Sequence, residues 1–200
     1  MGGAIFIHAF GAYFGIAVAL VMRNRDFTKS EDKEGSTYNS DIFAMLGSVL
    51  LWIFWPSFNG ILAGHDAFHR AILNTFLSLL GSTSMTFIIS SFFGHGKKMD
   101  MVDIQNATLS GGVAVGAIAD LMIEPYGALL IGSIVGTIST LGYRVLQPYL
   151  FQKFKLHDTC GVNNLHGKTS SSDPSLNCQN EIWPLFKLRD QSSNLMDARP

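Results

Sequence analysis

IFAMLGSVLLWIFWPSFNGILAGH (Ile42–His65) and AILNTFLSLLGSTSMTFIISSFFG (Ala71–Gly94) contain no Lys, Arg, Asp or Glu. About 20 apolar residues rising 1.5 Å each cross the roughly 30 Å hydrocarbon core of a bilayer, so each run is long enough to span it as a helix. A buried α/β core would need strands bounded by turn signals every few residues, and these runs are too long for that. The rest of the chain is therefore read with lipid, not water, as its solvent.

Working outward, five spanning helices are expected, at about Gly2–Met22, Ile42–Ala63, Ala71–Phe93, Ile104–Ile123 and Tyr126–Tyr143. Glu124-Pro125 joins the last two. Proline has no amide hydrogen and suits the first turn of a helix, and so short a connection makes the two helices antiparallel neighbours. The predicted fold class is all-α, a polytopic transmembrane helix bundle. Small residues line up within the spans: Gly11, Ala12 and Gly15; Gly111, Gly112, Gly116 and Ala119; Gly127, Gly132 and Gly136. Lipid gives helices no hydrophobic reason to associate, so close backbone approach must supply the packing. The steps Gly112/Gly116 and Gly132/Gly136 are read as tight packing within one bundle, in preference to a dedicated two-helix dimer motif.

Composition agrees. Charged residues make up 14% of the 200, against about 25% in a typical soluble domain, and the mean hydropathy is +0.26. The net charge of −1 leaves no global basic field to attract nucleic acid. Cys160 and Cys178 are too few for a disulfide framework and read as free thiols. No basic region precedes the first apolar run, which argues against a cleavable signal peptide. Lys and Arg set the orientation. Arg23, Arg25, Lys29 and Lys33 follow the first span, Lys97 and Lys98 the third, and Arg144, Lys153 and Lys155 the fifth. Five alternating helices place all of these on one side, expected to be cytoplasmic, whereas the opposite loops hold only Arg70.

Polar residues inside spans are costly in lipid and carry the functional question. His8 lies among Ile5, Phe6, Ile7, Ala9 and Phe10. On its own residues it is either a histidine satisfied by a neighbouring carbonyl or a functional group. Asp41 is expected to cap the second helix, and Asp103, Gln105 and Asn106 the fourth. Asn74 and Asp120 are expected to point into the bundle. His65, His69 and His95 require no function. There is no metal-ligand spacing, phosphate-binding glycine loop or nucleophile constellation, so no cofactor and no enzymatic activity is expected.

Several stretches resemble the Rh glycoprotein branch of the ammonium transporter (Amt/Mep/Rh) family, and in the same order: Gly2-Gly3 followed by IHAFGAYFG (Ile7–Gly15), SDIFAMLGSVLLWIFWPSFN (Ser40–Asn59), DIQNATLSGGVAVG (Asp103–Gly116), PYGALLIG (Pro125–Gly132) and DTCGVNNLHG (Asp158–Gly167). The likeness covers about residues 2–167. It implies a multi-pass protein, expected in the plasma membrane, that conducts ammonia or ammonium. It also implies a homotrimer in which each subunit holds its own narrow pore between two inverted halves. His8 matches the first of the family's twin pore histidines, His166 the second, and Phe58 one of two stacked phenylalanines closing the outer end of the pore. The chemistry is coherent. Stripping water from ammonium costs many kcal/mol and from ammonia far less. Two hydrogen-bonded imidazoles can offer a donor or an acceptor and carry a proton.

The chain also departs from the family. The acidic residue that the family carries just before the position of Met1, the helices preceding it and the second gate phenylalanine have no counterpart. Residues 1–167 are therefore expected to be a partial ammonium-transporter transmembrane domain, an internal fragment, and residues 168–200 a polar, disordered tail outside the family pattern. The alternative function is a truncated, non-conducting membrane protein or a partner subunit of an intact Rh channel.

Overall fold

The computed structural model describes residues 3–22, 35–93 and 99–171. Arg23, Arg25, Lys29, Lys33, His95, Lys97, Lys98, Cys178 and most of the expected tail lie outside them. Every regular element among the described residues is helical. A π-turn at Ala4–Ala9 leads into α1 (Phe10–Met22). Then come α2 (Tyr38–Gly60), α3 (His65–Phe93), α4 (Met101–Asn106), a 3-10 turn (Ala107–Leu109) and α5 (Ser110–Val115). After these, α6 (Pro125–Leu141) passes through a π-turn (Gly142–Leu146) into α7 (Gln147–Phe154). A last π-turn (Asn163–Gly167) opens into α8 (Lys168–Ser171). Residues Tyr38–Gly60, Asp66–Phe93 and Pro125–Phe154 are long and apolar enough to cross a bilayer, and Phe6–Met22 is a shorter apolar helix.

The helix α3 is the central rod. Ser78 faces two glycines at once, because a methyl group at Gly111 or at Gly132 would overlap the Ser78 backbone. One turn on, a methyl at Gly136 would lie 2.6 Å from the Ser82 carbonyl. Gly111, Gly132 and Gly136 are therefore close contacts with the α3 backbone inside the bundle, whereas Gly112 and Gly116 face Trp55 and Asn59 of α2. Gly11 and Gly15 differ: a methyl there meets nothing within 4 Å, and only Ala12 of that trio is buried. Around the crossing pack Trp55, Leu79, Leu109, Val113 and Leu165, with a second cluster of Ala114, Val115, Ile118, Ile131 and Val135.

The fourth expected span is not one helix. It breaks into α4, the 3-10 turn and α5, and then a run of i→i+3 turns, with Ile118 N–H donating to Val115 O and Leu121 N–H to Ile118 O, both at 3.0 Å. Two adjacent glycines in SGG cost about 1 kcal/mol each in a helix interior. Irregular backbone survives at membrane depth only when protein satisfies it, and here neighbouring side chains do so. Ser48 Oγ donates to Gln105 O (2.7 Å), Ser82 Oγ to Thr108 O (2.6 Å), Ser78 Oγ to Gly111 O (2.9 Å), Asn59 Nδ2 to Gly112 O (3.0 Å) and Asn74 Nδ2 to Ala119 O (2.9 Å). The buried serines and asparagines thus serve the broken segment, and Asn74 points inward as expected.

The capping assignments need correction. Thr37, not Asp41, caps α2, in a reciprocal capping box with Ser40. Asp41 sits in the first turn, where its carbonyl and carboxylate accept from Gln105 Nε2. Asp100 caps α4, its Oδ1 accepting from Val102 N–H at 2.8 Å. Asp103 is instead buried beneath Arg144, whose Nε donates to Asp103 Oδ2 at 2.8 Å. The fifth span also runs past Tyr143. Pro148 lacks an N–H and its ring crowds the carbonyl four residues back, so the helix widens to a π-turn in which Gln147 N–H reaches Gly142 O. Glu124 and Pro125 open α6 as expected.

Candidate functional site

His8 and His166 lie 158 positions apart in the chain (166 − 8), yet their rings face each other with centroids 4.9 Å apart and planes within 4°. Each stands in a π-turn. His8 N–H reaches back to Gly3 O, and Lys168 N–H to Asn163 O, five residues back in both cases. An inserted residue of this kind re-aims side chains and is frequent at functional sites. Gly3 makes the first turn possible, with φ +68° and Ile7 packed where a Cβ would stand.

The second turn is clamped from below. Asp158 accepts the N–H groups of Val162 (2.9 Å) and Asn163 (3.0 Å), Gln147 Nε2 donates to Asp158 O (2.6 Å), and Tyr143 Oη donates to Gly161 O (3.1 Å). Burial pushes the Asp158 carboxyl above its usual value, while those N–H groups and the charge of Lys168 pull it back. A carboxyl raised by folding contributes most below its ordinary range and loses that contribution as pH rises through the raised value. Asp158→Ala removes both acceptors and should cost about 1 kcal/mol, as for a lost helix cap. Asp158→Asn should cost less and flatten the pH dependence of the melting temperature, read by thermal unfolding in detergent.

Trp55 is the residue that motif reading passed over. Its ring lies 5.8 Å from His8 at 19°, and Gly112 leaves room for it, since a methyl there would be 2.8 Å from Trp55 Nε1. The available signal was its place on α2, one turn before Phe58 and Asn59. His8 Nε2, His166 Nδ1 and Trp55 Nε1 are buried without a hydrogen-bond partner among the described residues. Three neighbouring rings thus each carry an unsatisfied buried nitrogen, which a small polar solute could bond. No third His, Cys, Asp or Glu joins the pair as a metal set among the described residues. Phe58 is not drawn into this cluster; it lies one turn beyond Trp55 and is 47% exposed.

The helix bearing His166 does not stop at Gly167. It continues as α8, with Thr169 and Ser170 buried and Thr169 Oγ1 donating to Leu165 O. The first four residues of the expected tail are thus helical.

Residues 1–171 match the family model described as Ammonium Transporter Family. Among curated relatives, the ammonium transporter Rh type A of Canis lupus familiaris is 54% identical over 168 residues, covering 84% of this chain and 40% of that protein. The ammonium transporter Rh type C of Xenopus laevis is 52% identical, covering 82% and 35%. The Nitrosomonas europaea Rh50 structure, reported with a mechanism of conduction by the Rhesus family of channels, superposes with a TM-score of 0.82. It is 41% identical, over 88% of this chain and 45% of that one. The chain thus spans less than half the length of these relatives. They are named transporters and channels, not enzymes. Apolar spanning helices, their order and these likenesses together make the chain a multi-pass membrane protein belonging to the ammonium transporter family.

Proposed function

We propose that this chain supplies the twin-histidine half of an Rh-type passage for ammonia or ammonium. The observation that carries the reading is the stacked pair His8 and His166, 4.9 Å apart, each with a buried nitrogen lacking a partner. Neutral ammonia can accept from one imidazole nitrogen and donate to another, so it crosses the dry zone without bulk water, whereas hydrated ammonium must shed its shell. Trp55 walls the His8 ring, and Phe58, one turn further along α2, is assigned as the outer gate. The basic ends of the spans face the cytoplasm, and the assembly is a homotrimer in the plasma membrane.

The test is reconstitution of this chain in liposomes, following the internal pH change driven by an ammonium gradient. His8→Ala with His166→Ala should slow it by roughly tenfold or more, a barrier change of about 1.4 kcal/mol upward. Variants that conduct like the parent refute the assignment. The alternative is a non-conducting partner of a longer relative. It predicts no flux from this chain alone and co-purification with a co-expressed full-length Rh protein.

A further inference from the structure

The run Pro125–Phe154 is 30 residues long, about 45 Å as a helix, against a hydrocarbon core of about 30 Å. Its last two turns, α7, therefore stand in the headgroup layer. Beside Pro148 and Gln152, their exposed residues are aromatic and basic. Tyr149 and Phe154 are about half exposed, and Lys153 and Lys155 are exposed. The Lys153 ammonium lies 2.9 Å from Tyr149 Oη, 5.4 Å from the Tyr149 ring and 5.5 Å from the Phe154 ring. That of Lys155 lies 5.6 Å from the Phe151 ring. Lys155 ends α7 in the left-handed region, φ 51°, with its N–H on Phe151 O at 2.9 Å. Among the described residues neither ammonium has a carboxylate within 4 Å.

We propose that Tyr149, Lys153, Phe154 and Lys155 form a binding surface for anionic phospholipid, the two ammonium groups taking the headgroup phosphate and the rings seating at the glycerol level. Aromatic side chains favour that depth. Each ring steadies an ammonium while leaving N–H donors free for a phosphate oxygen. The complement is a lipid with net negative charge. A choline headgroup would bring its own cation against two lysines.

The test uses the full chain purified in neutral detergent, titrated with phosphatidylserine or phosphatidylcholine and read by native mass spectrometry. The parent should prefer phosphatidylserine. Exchanging both lysines for glutamine should weaken that binding by about fivefold per lysine, roughly twenty-five-fold in all, and leave phosphatidylcholine unchanged. The pair Lys153→Arg and Lys155→Arg should retain it, and raised salt should weaken it. Three results overturn the proposal: a double glutamine variant that binds phosphatidylserine like the parent, an arginine pair that fails like the glutamine pair, or displacement of the lipid by equimolar inorganic phosphate. Because the readout is lipid stoichiometry, a chain that conducts no ammonia leaves the result standing.

Discussion

Gly132→Leu is expected to abolish a monodisperse, folded chain. A Cβ at this position would occupy the space of the Ser78 backbone on α3, and a helix backbone cannot turn aside as the tip of a side chain can. The rods α3 and α6 would have to part. The contact is reciprocal, because Gly81 on α3 faces the backbone of Leu129 and Ser133 on α6 in the same way. Overpacking alone costs about 1–3 kcal/mol. Separation would also strip α3 from the broken segment, whose carbonyls at Thr108 and Gly111 depend on Ser82 and Ser78. The summed loss should exceed about 3 kcal/mol, a large share of a typical protein's total stability. Size-exclusion profiles and melting in detergent would show it. Gly47→Leu is the control: a methyl there meets nothing within 4 Å, and leucine has the better helix propensity, so that variant should melt no lower than the parent. A well-behaved Gly132→Leu protein would refute the three-helix crossing.

Arg144→Met should be nearly as damaging. Asp103 is 2% exposed, and its Oδ2 takes Arg144 Nε at 2.8 Å, lies 2.7 Å from a second guanidinium nitrogen and accepts from Ser90 Oγ at 2.7 Å. Removing the cation strands a buried carboxylate, at a cost of about 3–5 kcal/mol. Replacing both charges with apolar residues removes the stranded group, so Asp103→Leu combined with Arg144→Met should recover a substantial part of the loss. Thermal melts of the four proteins form a double-mutant cycle. Additive losses would show that the two groups do not act as a pair. The pairing ties α4 to the π-turn after α6, so it also holds the base of the loop that carries Asp158 and leads to His166.

The legibility of this chain varied with distance along the sequence. Spanning segments were readable because the cost of burying charge in lipid acts on each residue alone, and a run such as Ile42–His65 declares itself. Glycine steps were readable as packing signals for the same reason. Partners were not. Nothing local to Ser78 or Asn59 announces that they satisfy carbonyls on a segment 33 or 53 positions away, and nothing local to Asp103 says that its partner is Arg144. The capping role expected for Asp103 was the best local explanation, and a distant cation displaced it. The continuous fourth helix failed similarly. Periodicity saw a long apolar stretch, whereas its glycines and the side chains on α2 and α3 allowed the backbone to break.

For the candidate site, His8, His166 and Phe58 were named through resemblance, and local reading left His8 open between a satisfied core group and a functional one. The fold brings the two rings face to face and adds Trp55. The sequence by itself determined the solvent, the helical class and the family, since these follow from hydropathy and from long matched runs. Only the tertiary structure decided which polar groups meet, because a hydrogen bond or a ring contact depends on distances that chain order does not encode. The stacking of His8 on His166 across nearly the whole described chain is the clearest instance.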